Sequence, residues 1–222
     1  MSLWVKICGN TSLADAQLAA EAGADAVGFV FAPSPRRVTP DEVAKITPHL
    51  PASIEKIGVF VNDDFATIAA AIELAGLTGV QVHSGGPEAL TAQLREQFGP
   101  DLRILRVIHF GEDAARQLEA ARTDASIDGV LVDSRTATAV GGTGIAFDWQ
   151  AARAMIFSGK NSLKLIAAGG LNPENVAEAI ATLNPWGVDV VTGVEWSPGR
   201  KDVGKVHAFV ANVRATQAMA EE

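Results

Sequence analysis

The chain has 222 residues, a hydrophobic fraction of 48% and a formal net charge of −8. That acidity disfavours nucleic acid as a partner, because phosphate backbones are bound by clustered Lys and Arg. Cys8 is the lone cysteine and His49, His83, His109 and His207 are scattered, which excludes an internal disulfide and a thiolate zinc cluster and leaves no metal-ligand spacing.

From the N-terminus, MSLWVKICGN has neither the basic stretch nor the long apolar run of a signal peptide. No apolar run reaches the roughly eighteen residues needed to span a bilayer, so a soluble cytoplasmic protein with no membrane partner is expected. The first β-rich run is Leu3–Cys8, followed by the Ala-rich amphipathic stretch Ser12–Ala22. A second, Ala26–Phe31, leads through Ser34-Pro35-Arg36-Arg37 to Thr39-Pro40-Asp41-Glu42, a helix start with a capping residue and Pro in the first turn. Lys56–Val61 precedes a helical pattern at Asp64–Ala75, Gly79–His83 one at Pro87–Phe98, and Arg103–His109 one at Glu112–Arg122. Gly129–Asp133 runs into a helix-free stretch, Ser134 to Phe147, that reads as a mobile loop. Leu163–Ala168, the helical pattern Pro173–Leu183 with its Asn172-Pro173-Glu174 start, and Gly187–Thr192 complete the series.

Most of these runs are continuously apolar rather than alternating, which marks parallel strands buried on both faces. Strand–helix alternation implies right-handed crossovers and a parallel sheet. Eight units in 222 residues fit an α/β fold of the (β/α)8 TIM barrel type, in one domain spanning 1–222. An open doubly wound sheet is the runner-up.

In such a barrel the site lies at the C-terminal ends of the strands, and the chemically distinctive residues fall there. Three glycine-rich segments follow the last three strands: Gly141-Gly142-Thr143-Gly144, Ala168-Gly169-Gly170-Leu171, and Gly193-Val194-Glu195. They serve either as plain turns or, together, as a phosphate cradle of backbone N–H groups. Asp133 closes the sixth strand, as a loop cap or as a carboxylate available for acid–base work. Cys8 is either an inert buried thiol or, beside a positive charge, a thiolate. Lys6 shares its side by strand period. If that side is the barrel interior, its ammonium needs a partner, and Asp189 is the candidate, whether for structure or for chemistry. Arg36 and Arg37 are solvated, or present a guanidinium fork to a carboxylate. Gln81 and His83, alternate residues of one strand, are candidates to line the pocket; His109 has no further support.

These residues carry a resemblance. Val5-Lys6-Ile7-Cys8-Gly9, Gly28-Phe29-Val30-Phe31, Ser34-Pro35-Arg36, Val80-Gln81-Val82-His83, Asp133-Ser134 and the GGTG segment form its first part. Ala168-Gly169-Gly170-Leu171-Asn172-Pro173-Glu174-Asn175, Asp189-Val190, Gly193-Val194-Glu195 and Ser197-Pro198-Gly199-Arg200-Lys201-Asp202 complete it. Together they resemble phosphoribosylanthranilate isomerases over nearly the whole chain. Trp196, where a small residue is common, and Arg37, where an aromatic is frequent, depart from the pattern.

The resemblance implies an Amadori rearrangement of N-(5′-phosphoribosyl)anthranilate, with no cofactor. It implies Asp133 as general acid and Cys8 as general base, with Asp189 assisting. Arg36 would hold the anthranilate carboxylate, and the glycine loops, through Gly142, Thr143, Gly144, Gly169, Gly170, Thr192 and Gly193, the phosphate. Lys6, Gln81 and His83 would complete the substrate pocket, and a monomer is the expected state. The competing readings are another phosphate-binding barrel and a non-catalytic sugar-phosphate sensor. Indole-glycerol-phosphate synthase would carry a lysine acid and an extra N-terminal segment. The histidine-pathway aldose–ketose isomerase would have aspartate in place of Cys8. A sensor would need neither Cys8 nor Asp133.

Overall fold

A computed structural model describes residues 2–83, 89–111, 113–133, 149–157 and 163–218. Eight strands close into one parallel barrel: β1 (Trp4–Ile7), β2 (Ala26–Val30), β3 (Glu55–Phe60), β4 (Gly79–His83), β5 (Arg103–His109), β6 (Gly129–Asp133), β7 (Lys164–Ala168) and β8 (Gly187–Val190). Each pairs with its sequence neighbours, and β1 closes on β8. The helices between them are α1 (Leu13–Glu21), α2 (Pro40–Ala44), α3 (Phe65–Ala75), α4 (Leu90–Phe98), α5 (Ala114–Arg122), α6 (Trp149–Ala152) and α7 (Val176–Leu183). A two-strand hairpin, β9 (Glu195–Ser197) and β10 (Arg200–Lys201), precedes the last helix, α8 (Val203–Ala218). The barrel read from the strand–helix alternation is therefore the observed fold, and the open sheet is excluded. No helix among the described residues is long and apolar enough to cross a membrane.

Local signals set the helix starts. Ser12 accepts a hydrogen bond from the Asp15 N–H, Asp64 from the Thr67 N–H, and Thr39 with Glu42 forms a reciprocal capping box. The boundaries differ where side chains take the backbone first. Asn172 Oδ1 accepts from the N–H groups of Glu174 and Asn175 at 2.9 and 3.0 Å, so α7 begins at Val176 rather than Pro173. Strand β8 stops at Val190, and Thr192–Val194 is a short 3-10 turn.

Strand parity divides the core into two layers. Outward residues such as Val5, Ile7, Val27 and Phe29 pack with Ala16, Val206 and Phe209 of the flanking helices in one large cluster. Inward residues Trp4, Ala26, Ile57, Leu105, Val107, Leu131, Ile166 and Ala168 form a second, separate cluster inside the barrel. Because every strand is wrapped on both sides, nearly all strand positions are buried, which is why the runs read as continuously apolar.

Candidate active site

Parity carries the inward row of each strand upward from apolar to polar. On β1 the row is Trp4, Lys6 and then Cys8; on β6 it is Gly129, Leu131 and Asp133; on β8, Gly187 and Asp189. Register places Lys6 directly beside Asp189 across the β1–β8 seam. The Lys6 ammonium, wholly buried, donates to Asp189 Oδ1 at 3.0 Å and to Gln81 Oε1 at 2.6 Å. Asp189 and Gln81 are themselves buried, so the charge is compensated inside the barrel as burial of an ammonium requires. Burial pulls the Lys6 pKa down, but the Asp189 carboxylate and, once ionised, Cys8 outweigh it and hold the group above its ordinary range.

Cys8 stands two residues above Lys6 on the same row and is buried. Both side chains lean over Gly28 of β2. A Cβ there would come within 2.4 Å of Cys8 Sγ and 2.9 Å of Lys6 Cε, so only glycine leaves room for the pair. Burial pushes the Cys8 thiol up, and the nearby charge of Lys6 does not restore it to the usual range. Of the two readings of Cys8, desolvation favours the buried thiol even with Lys6 beside it.

Asp133 ends β6, buried and inward, in register with His109 of β5. His109 points to the same mouth, with its ring 5.5 Å from that of His83 and its Nδ1 buried without a hydrogen-bond partner. His109 has no supporting motif in the sequence, although the parity that turns Leu105 and Val107 inward turns His109 inward too.

Of the three glycine segments, Gly142, Thr143 and Gly144 lie outside the described residues, as does the whole Ser134–Phe147 stretch. The other two meet. Gly169 and Gly170 both have positive φ, 81° and 67°. Gly193 packs so closely on the loop after β7 that a Cβ would lie 1.9 Å from the Leu171 carbonyl oxygen. The turns after β7 and β8 thus share one surface at the C-terminal end of the barrel, where this fold binds phosphate.

Arg36 reaches the same end from the loop after β2. Its Nε and Nη2 donate to the two carboxylate oxygens of Glu195 at 2.8 and 2.6 Å, and Nη2 approaches Thr192 Oγ1 at 3.3 Å. The fork expected for a substrate is therefore occupied on one edge. Arg37 is exposed and donates to the Phe31 carbonyl.

Residues 5–212 match the model of the N-(5′-phosphoribosyl)anthranilate (PRA) isomerase family. The chain belongs to the PRA isomerase family. A PRA isomerase of Magnetococcus marinus is 42% identical over 218 residues, covering 98% of each chain. The crystal structure of the Thermotoga maritima family member superposes with a TM-score of 0.81 at 35% identity, covering 96% of this chain and 99% of that one. Another PRA isomerase structure, solved with reduced 1-(o-carboxyphenylamino)-1-deoxyribulose 5-phosphate bound, gives a TM-score of 0.78 at 33% identity over the same shares.

Glu195 and Lys201 also belong to this mouth, although nothing in their sequence motifs alone assigns them a role. Hairpin register supplies the signal: Glu195 pairs across with Lys201, so the two share a face. Both are buried against the mouth while Trp196, the next residue of β9, points out at 75% exposure.

Proposed function

We propose that this barrel, acting as one catalytic domain over 1–222, isomerises N-(5′-phosphoribosyl)anthranilate to 1-(2-carboxyphenylamino)-1-deoxyribulose 5-phosphate in tryptophan biosynthesis, with Asp133 as general acid and Cys8 as general base. The observation that supports it best is that both residues end inward rows at the same mouth, in a chain that matches the family from 5 to 212. Asp133 donates a proton to the furanose ring oxygen, and the ring opens to a Schiff base. Cys8, as the thiolate left once its own proton has gone to solvent, then takes the C2′ proton, giving an enolamine that tautomerises to the ketose. A buried thiol suits the second step, because a base that stays protonated at rest binds the departing proton strongly once it has ionised.

The paired ammonium of Lys6 lies beside the base and stabilises its anion, with Asp189 and Gln81 fixing that ammonium in place. Arg36 grips the ring carboxylate, the turns at Gly169–Gly170 and Thr192–Gly193 with Gly142, Thr143 and Gly144 hold the phosphate, and His83 lines the pocket. The substrate is a phosphorylated small molecule, and a monomer in the cytoplasm is the proposed working form; light scattering across a concentration series checks the state.

Steady-state turnover of freshly generated phosphoribosylanthranilate tests the activity directly. No turnover by a folded sample would favour the sugar-phosphate sensor. Inorganic phosphate should inhibit competitively and raise Tm, because an anion bound only by the native state stabilises it. Uncompetitive behaviour, with no thermal shift, would remove the glycine turns as the anion site.

A further inference from the structure

The mouth carries a charge network that the acid, base and phosphate assignments leave unused. Glu195, 5% exposed, accepts from Arg36 through both carboxylate oxygens, from the Gly199 N–H at 3.2 Å and from Lys201 Nζ at 3.4 Å. Lys201, also buried, spends its other donors on the Cys8 carbonyl at 2.5 Å and the Val191 carbonyl at 3.5 Å. Its backbone N–H is fixed by Asp15 of α1 at 3.1 Å. The Arg36 stem lies over Gly9, its Cδ 2.9 Å from where a Cβ on that glycine would stand. The guanidinium is thus held at its stem and along its Nε–Nη2 edge, and Nη1 makes no hydrogen bond among the described residues.

Two features distinguish this from an ordinary structural ion pair. A bidentate contact fixes the plane of the guanidinium as well as its position. Lys201 also balances the Glu195 charge, so the three side chains together carry one net positive charge. A structural pair would be neutral and closed; this one leaves a cation with a free, aimed edge.

We propose that Glu195 is a positioning residue for substrate recognition, holding Arg36 so that its Nη1 edge meets the ring carboxylate, while Lys201 neutralises Glu195 and leaves the Arg36 charge to the ligand. The proposal rests on the reading that Arg36 grips that carboxylate. Replacing Glu195 by Gln removes the two-point hold. The same change removes one negative charge beside Arg36, which by charge alone would strengthen the attraction for a carboxylate. Weaker binding therefore reports lost aim rather than lost charge.

The test compares Glu195→Gln, Arg36→Ala and the double variant. It uses the substrate and two reduced product analogues, one with the ring carboxyl and one without. Glu195→Gln should raise KM about tenfold, a coupling typical of contacting residues, with kcat within about twofold because the grip is made equally in ground and transition states. It should weaken the carboxylated analogue by a similar factor and leave the other unchanged. In the Arg36→Ala background it should add less than about twofold. If Arg36→Ala discriminates between the analogues and Glu195→Gln does not, Arg36 keeps its role and the Glu195 proposal falls. If neither discriminates, the carboxylate grip falls with it. Equal weakening of both analogues by Glu195→Gln makes Glu195 a structural group and overturns the proposal. Should that variant fail to fold, Glu195→Asp keeps the charge but is too short for both nitrogens, and the same analogue pair decides.

Discussion

The lower and upper halves of the barrel interior are built from the same eight strands and solve opposite problems. Toward the N-terminal end the inward rows carry Trp4, Ile57, Leu105 and Leu131, packed as a closed cluster. Trp4 stacks on Trp186 at 5.5 Å, with Lys164 4.7 Å and Arg103 5.6 Å from the Trp186 ring centre. The charges there lie outside the plug: Arg103 forks to Glu55 at 2.7 Å on both arms, at the edge of a groove of about 310 Å³. Two residues higher the rows change character. Lys6, Asp189 and Gln81 stand where apolar side chains would pack, and Cys8, Asp133 and His109 stand above them. A buried ion pair is seldom more stable than well-packed apolar residues of its volume. The lower half is arranged for stability; the upper half carries ionisable groups whose presence stability alone does not explain.

The largest separation should come from substitutions at the top. Cys8→Ala and Asp133→Asn should each lower kcat by about 10² to 10⁴, the usual worth of a positioned acid or base, while thermal melting stays near wild type. A Cys8→Ala enzyme with wild-type kcat would transfer the base role to Asp189. Cys8→Ser should be nearly as damaging, since a hydroxyl is a far poorer proton acceptor.

Leu105→Ala should show the reverse signature. Leu105 is fully buried in the lower cluster, and such truncations cost about 2–5 kcal/mol. Chemical denaturation should register that loss, while kcat measured well below the melt stays within about twofold if the upper half is mechanically independent. A matching fall in kcat would mean that the two halves are coupled.

Acidity gives a graded test confined to the upper half. Burial raises the Cys8 pKa, and the base works only when deprotonated. The kcat/KM of the free enzyme should therefore climb with pH on the alkaline side, by up to about tenfold per unit. Stability runs the other way. A thiol whose folded pKa is raised contributes stability that is complete below the unfolded pKa and is lost as pH rises through the folded one. Urea unfolding of wild type should weaken across that alkaline window, and Cys8→Ala should flatten the decline. A kcat/KM already level at neutral pH would show that the essential base is not this thiol.

The smallest effects belong to the rim. Trp196→Ser and Arg37→Ala alter exposed side chains on the outer side of the mouth and should each shift stability by no more than about 0.5 kcal/mol. KM should hardly change for either. A marked rise in KM for Trp196→Ser would bring the outward face of the hairpin into the binding surface.

The sequence by itself determined the barrel and most of its mouth. Continuous apolar runs and helix caps are local signals, and strand parity is a local rule, so Lys6 and Cys8 could be set on one side of their strand and Asp133 at a strand end without coordinates. The Lys6–Asp189 pairing was legible for the same reason, since the first and last strands of a closed barrel are neighbours. Tertiary structure alone decided what depends on surroundings contributed from elsewhere in the chain. The hairpin at 195–201 is too short to show a periodic pattern, so the Arg36–Glu195–Lys201 network was hidden until its register was seen. The resting state of Cys8 was hidden too: Lys6, two residues away, argues for a thiolate, and only the barrel's closure supplies the desolvation that overrides it. Spacing along the chain tells which groups meet, whereas the dielectric around them is a property of the whole packed interior.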